Sequence, residues 1–175
     1  MFRAVFFMRK AVEIGAYLDY YGTATALSVA RKYLAGASVG DYALFGGGYT
    51  GSRSGVVDAY NTSLTRSIPT ALSAARFYPA RASVGDYALF GGGYTSDSTV
   101  DAYDTSLTRS IPTALSVGRF TAGASVGNYA LFGGGGEGSS GYSTVVDAYN
   151  TSLTRSTPTA LSVARKYLAG ASVGD

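Results

Sequence analysis

Residues 25–41 read TALSVARKYLAGASVGD, and residues 159–175 repeat that string without a change. Between them, YALFGGG begins at Tyr42, Tyr87 and Tyr129, VDAY at Val57, Val100 and Val146, and TSLTRS at Thr62, Thr105 and Thr151. An arginine closes each unit, at Arg31, Arg76, Arg119 and Arg165, with spacings of 45, 43 and 46 residues. Near-identity over such lengths means duplication of one unit, and like sequences fold alike. The chain is therefore expected to be an array of about four copies of one structural module.

Each module reads as four short strands. The first lies around residues 37–39. Gly40-Asp41 follows, a two-residue turn with glycine leading that suits a tight hairpin. Residues 42–45 form the second strand, which runs into Gly46, Gly47 and Gly48 and then a polar loop. The third spans 56–60, and Asn61-Thr62-Ser63 turns the chain, with the Asn side chain satisfying nearby backbone. The fourth lies within 65–73 and contains Pro69, with Pro112 and Pro158 at the same place in later copies. Proline cannot donate to a sheet ladder, so this strand belongs at a sheet edge. In the second strand Tyr42 and Leu44 face one way, Ala43 and Phe45 the other. A strand apolar on both faces has to be covered on both, and sheets stacked face to face by radial repetition supply that cover.

A glycine pair after a hydrophobic strand (Gly46-Gly47), then Asp58-Ala59-Tyr60-Asn61, Pro69 and Arg76, resembles a Kelch repeat. The set recurs at Gly91-Gly92, residues 101–104, Pro112 and Arg119, and again at Gly133-Gly134, residues 147–150, Pro158 and Arg165. The resemblance covers roughly residues 25–175. It departs from the family in one respect, because Kelch repeats usually carry a tryptophan on the outer strand. This chain has none, and Arg66, Arg109 and Arg155 stand near that place.

The resemblance implies an all-β fold, a β-propeller or partial propeller of about four Kelch-like four-stranded blades. Residues 1–175 form a single array. Residues 1–30 are a partial or divergent blade, 31–75, 76–118 and 119–164 are full repeats, and 165–175 begin a further one. MFRAVFFM at residues 1–8 stands where a second strand is due, and residues 12–28 suit the third and fourth. The two ends could thus complete one composite blade and close a four-blade ring. The alternative, slightly favoured by the break inside a near-perfect repeat, is an open arc or a fragment, which would expose terminal apolar faces and invite self-association.

Composition narrows the chemistry. With neither histidine nor cysteine among the 175 residues, Ser-His-Asp and Cys-His catalysis cannot be built, nor the usual zinc sites. The copper oxidase chemistry of some Kelch-type propellers needs histidine and does not carry over. Two acids in the variable loops, Asp97 and Glu137, sit in different copies and make a poor pair for hydrolysis. No enzyme activity, metal or cofactor is expected. Net charge is only +3 with its cations dispersed, so no nucleic-acid patch is read, and no apolar run reaches membrane-spanning length.

The expected function is a non-catalytic Kelch-like scaffold for a protein or glycan partner. The other readings are a structural piece of a larger surface or secreted repeat protein, and a propeller domain of a carbohydrate-active enzyme. The copies differ most after the glycine triplets, and loops on one face of a repeat scaffold are where binding concentrates. Tyr49, Arg53, Tyr94, Asp97, Glu137 and Tyr142 are the candidate ligand-binding residues. Two other motifs read as structural. Gly133, Gly135 and Gly138 match G-x-G-x-x-G, but no helix start or Lys-Ser/Thr pair follows. Asn61 and Asn150 stand in glycosylation acceptor strings, yet Asp104 replaces them in the middle copy, which favours a turn role.

Overall fold

The computed structural model describes residues 23–94, 97–136 and 141–172. Among these every regular element is a strand and none is a helix. The first unit supplies β1 (Ala35–Val39), β2 (Tyr42–Gly46), β3 (Val57–Tyr60) and β4 (Arg66–Ser67). The second supplies β5 (Ala80–Val84), β6 (Tyr87–Gly93), β7 (Asp97–Asp104) and β8 (Arg109–Ser110). The third supplies β9 (Phe120–Val126), β10 (Tyr129–Gly136), β11 (Val146–Asn150) and β12 (Arg155–Ser156). Each unit is one antiparallel sheet with its strands in chain order.

Local chemistry sets the turns. Val39 pairs with Tyr42 across Gly40-Asp41. Gly40 has φ +48°, a left-handed backbone that glycine adopts without penalty. At the next turn Asn61 Oδ1 accepts the backbone N–H groups of Ser63 and Thr65 at 3.1 and 2.9 Å. Asp104 and Asn150 accept the matching pairs in the later copies. The acceptor-like strings are thus Asx turns in all three units. The fourth strand lies at the sheet edge but is only two residues long. Pro69 falls two positions beyond β4 instead of inside it, since a proline there would cost the ladder a donor.

Sheets pack face to face in sequence order. Leu44, Val57 and Ala59 of the first sheet cluster with Ala88, Phe90 and Tyr103 of the second. Leu89, Val100 and Ala102 of the second cluster with Ala130, Phe132 and Tyr149 of the third. The middle copy of the two-faced strand is therefore covered on both sides, as its pattern requires. The glycine triplets are seats within this packing. A Cβ on Gly91 would lie 2.9 Å from the Phe132 ring, and one on Gly46 3.0 Å from the Phe90 ring. Gly92, at φ +65°, leaves no room for a Cβ against the Arg119 carbonyl. These contacts, and the placement of Gly133 and Gly135 within and beside a β-ladder, agree with a packing role for the third triplet; Gly138 lies outside the described residues.

Three of the closing arginines are pinned on the sheet that follows them. Arg31 Nη1 sits 2.8 Å from Asp58, Arg76 Nη2 2.6 Å from Asp101, and Arg119 Nη2 2.9 Å from Asp147, with both side chains of every pair fully buried. The same guanidiniums donate to the Phe45, Phe90 and Phe132 carbonyls. Each aspartate also accepts the backbone N–H of Ser28, Ser73 or Ser116. The hydroxyls of Tyr60, Tyr103 and Tyr149 donate to the carbonyls of Thr25, Thr70 and Thr113. Of the hairpin partners, Arg66 and Arg109 stand farther off, at 3.7 Å, while Arg155 Nη1 donates to Asp147 at 3.0 Å. Residues 1–22, with the strands and composite ring closure read into them, lie outside the described residues.

Two outcomes test this clamp. Asp101→Ala leaves the Arg76 charge buried without its acid, so urea unfolding should show a loss of about 3–5 kcal/mol. Burial resists ionisation of Asp58, but hydrogen bonds from Ser28 and Arg31 outweigh it and hold the carboxyl below its ordinary value. The stability this lends is full above the unfolded value of about 3.9 and is lost as pH falls through the lowered folded value. Acid titration by circular dichroism should accordingly show unfolding begin below about pH 4.

Candidate functional site

One or two places after each closing arginine the chain sets an aromatic ring, in Lys32-Tyr33, Phe77-Tyr78, Phe120-Thr121 and Lys166-Tyr167; the three tyrosines are exposed and the two phenylalanines half-buried. In the first three the buried arginine side chain fixes the backbone on its C-terminal side, and hydrogen bonds hold these residues at the ends of the glycine triplets. Lys32 and Tyr49 exchange N–H···O bonds at 3.1 and 2.8 Å, Tyr78 N donates to the Tyr33 carbonyl, and Tyr94 N to that of Phe77. The rings of successive units therefore meet along one end of the sheets.

They form a continuous belt. Tyr33 stacks on Tyr78 with centroids 4.4 Å apart. Tyr49 meets Phe77 edge-on at 5.4 Å, and Phe77 stacks on Tyr94 at 5.0 Å. Tyr94 continues to Phe120 at 6.2 Å, and Phe120 to Tyr167 at 5.6 Å. Tyr33, Tyr78 and Tyr94 are 40–45% exposed and Tyr167 is 82% exposed, so the belt is open to solvent. Lys32 lies over the Tyr33 and Tyr49 rings, and Lys166 over those of Tyr142 and Tyr167, adding cation–π contacts at both ends.

Tyr33, Tyr78 and Tyr167 hold left-handed backbones, with φ of 60°, 54° and 60°. A bulky residue there costs about 1–2 kcal/mol against glycine, a cost the chain also bears at Leu64, Leu107 and Leu153 in the Asx turns. Stability alone would favour Gly or Asn at these positions. Desolvation, then the neighbouring Tyr33 phenol, pushes the Tyr78 hydroxyl above its ordinary range, so this phenol is neutral at physiological pH.

Between Tyr78, Phe120 and Tyr167 opens a cleft of about 310 Å³, walled also by Pro79, Arg81 and Thr121. Arg81 is exposed and stands where the other units have Gly36 and Gly123. It also lines a second cleft of about 560 Å³ between the first strands, beside Ser38, Ser83 and Ser125. The site thus joins apolar ring faces to a single forked cation, an arrangement for recognition. Among the described residues no group of acids is placed to hold a metal ion.

The structure brings three of the loop candidates together: Tyr49 and Tyr94 belong to the belt, and Tyr142 joins it through Lys166. Arg53 is exposed in the small loop bridged back to Tyr49. Asp97 is not in a loop. It opens β7, its Oδ1 accepts the Thr99 N–H at 2.7 Å, and its carbonyl accepts that of Arg119, because the second unit's ladder resumes at the Gly93–Asp97 pair. Glu137 lies outside the described residues. The loop-based reading omits Tyr33, Phe77, Tyr78, Phe120, Tyr167 and Arg81. Their signal is nonetheless present, as an aromatic residue one or two places after every closing arginine and one cation at a position otherwise glycine. No family model matches the chain, and no curated protein matches it.

If the belt serves binding, its rings are dispensable to the fold. Tyr78→Asn should leave the unfolding free energy within about 1 kcal/mol of wild type, because relief of the left-handed backbone strain offsets the ring stacking that is removed. Phe90→Ala, at a fully buried ring, should cost about 3–5 kcal/mol. A loss above ~2 kcal/mol for Tyr78→Asn would make the ring a structural one.

Proposed function

We propose that the chain is a Kelch-like repeat scaffold, its sheets arranged as blades of a partial propeller, that binds a protein or glycan partner without catalysing a reaction. The observation that carries the binding role is the exposed aromatic belt, kept in place by tyrosines in a strained backbone. The propeller reading draws support from the first strands, which converge on one another. Ser83 Oγ donates to the Ser38 carbonyl, Ser83 N to Ser125 Oγ, and Ser125 N to Ser172 Oγ. Strands so linked suit the inner edge of radially arranged sheets.

Between the two partner classes the belt favours a glycan. The C–H faces of a pyranose ring are flat and apolar and lie well on exposed aromatic faces, while Arg81 offers five donors to hydroxyl or carboxylate oxygens. A row of rings at 5–6 Å spacing suits an extended chain of such units. The protein-partner reading rests on loops rich in Tyr, Gly and Ser, a composition common at adaptable protein-recognition surfaces.

An array of immobilised oligosaccharides, read by tyrosine fluorescence in the absence of tryptophan, tests the preference. Retained saccharides should lose at least tenfold in affinity when Tyr49, Tyr94 and Tyr142 are together replaced by Ala, with the circular dichroism spectrum unchanged. Equal retention by wild type and the folded variant would remove the belt from the function. Retention of no saccharide, beside capture of a protein partner that the triple variant loses, would favour the protein reading.

A further inference from the structure

The contacts that join one sheet to the next are repeated twice among the described residues and then stop halfway at the third sheet. Leu161 N donates to the Thr144 carbonyl, Arg165 N to that of Ser143, and Gly135 N to that of Arg165. These match the bonds of Leu72, Arg76 and Gly48, and of Leu115, Arg119 and Gly93. Ser172 Oγ meets Ser125 as Ser125 Oγ meets Ser83. The segment 159–172 therefore follows the course of the linker and first strand of a following sheet, without a ladder of its own.

The rest of that sheet is missing among the described residues. Arg165 is exposed, pairs with no carboxylate there, and its Nε reaches only the Val163 carbonyl. Leu131 is half-buried, whereas its counterparts Leu44 and Leu89 are fully buried. At Gly133, the seat taken by a phenylalanine ring at Gly46 and Gly91, a Cβ would meet only Val146 within 4 Å. The groups that would complete the junction are a Phe, an Ala, a Tyr and an Asp on one sheet face. The first sheet carries them. Ala43 is exposed and Phe45 half-buried, unlike the fully buried Ala88, Phe90, Ala130 and Phe132, and Tyr60 and Asp58 lie beside them.

Asp58 and Tyr60 are already bound, to Arg31 and Thr25 of residues 25–41. Residues 159–175 are the same 17-residue string. We infer that the first sheet of a second copy docks on the third sheet by strand exchange, with residues 159–175 of one chain replacing residues 25–41 of the other. Arg165 then pairs with Asp58, Ser162 N with the same carboxylate, the Tyr60 hydroxyl with Thr159, and Phe45 seats on Gly133. Identical sequence makes the incoming bonds equal to the outgoing ones, so the exchange gains the second sheet-to-sheet interface at no loss in the first. The contact is heterologous and closes into a ring of copies or extends as a filament. The exchange sets the Lys166-Tyr167 pair of one chain where the identical Lys32-Tyr33 pair of the other stood, and it is read by assembly, not by saccharide binding.

The full-length chain tests it in sedimentation velocity across a hundredfold concentration range. The expected result is a dimer or larger assembly that Arg165→Glu converts to a folded monomer, because the variant would set a carboxylate against Asp58. A wild-type monomer at every concentration, as when residues 1–22 cover the face within one chain, would overturn the inference. So would an assembly that a folded Arg165→Glu chain still forms. Should that variant fail to fold, cysteines give a second reading in a chain that has none of its own. Ser38 lies opposite Ala43 in the first sheet, and Ser172 is its counterpart in the repeated string. A mixture of singly substituted Ala43→Cys and Ser172→Cys chains should oxidise to the mixed disulfide in preference to either homodimer. A statistical mixture of the three would reject the exchange.

Discussion

The buried arginine–aspartate pair is the interaction on which the rest depends. A guanidinium and a carboxylate withdrawn from water cost several kcal/mol each, and only near-complete hydrogen bonding recovers that. The chain meets the condition by making the arginine serve two sheets. Arg119 reaches Asp147, the Phe132 and Gly134 carbonyls, and the Val117 carbonyl of its own linker. The ion pair thus determines where each linker lies on the sheet that follows. The three described sheets stack in one register because the linker before each is pinned at the same place.

The aromatic belt follows from that pin. Once the arginine is fixed, the next two residues have to emerge at the ends of the glycine triplets; the first strand begins at Ala35 and Ala80 in the first two units and already at Phe120 in the third. Whatever side chains stand there are displayed in a row, one cluster per unit. Placing Tyr at a left-handed backbone works against stability, yet the substitution is made at Tyr33, Tyr78 and Tyr167. In the third unit Thr121 stands instead, and the row is kept by Phe120. The display is thus retained while the backbone solution varies, as expected if the ring surface is what matters.

Much of the fold could be read from the sequence, because repetition lets three weak signals confirm one another. Four strands per unit, the Gly-Asp hairpin, the Asx turn and the two-faced second strand all have local causes. Strand lengths did not follow so easily. β6 and β10 extend through glycines that look like loop residues, because pairing resumes beyond a register shift, at Gly93–Asp97 in β6 and at Gly136–Phe120 in β10. Pro69 marks an edge correctly but lies past the strand it was expected to occupy. The site was only half legible. Variable loops pointed to Tyr49, Tyr94 and Tyr142, while the belt's other rings sit in constant positions, where repetition suggests packing and hides display. Asp97 shows the opposite confusion, a variable residue whose bonds are entirely structural.

Repetition also has a physical consequence at the ends of the array. In the middle sheet, Leu89 and Phe90 are both fully buried, since neighbours of the same sequence lie on either side. The outer sheets have one neighbour each among the described residues, and the same motif leaves Ala43 and Leu131 partly in water. A duplicated module cannot by itself supply two different ends: a face made to receive the next copy receives any copy. Non-repeating residues can hide such a face, and a second chain can fill it. The cationic Arg165 sharpens the specificity of that filling, because a partner must bring an acid at the position of Asp58, with a tyrosine and phenylalanine in fixed register. Few surfaces other than this module meet those terms, so the feature that holds the sheets together within the chain also selects what can join them from outside.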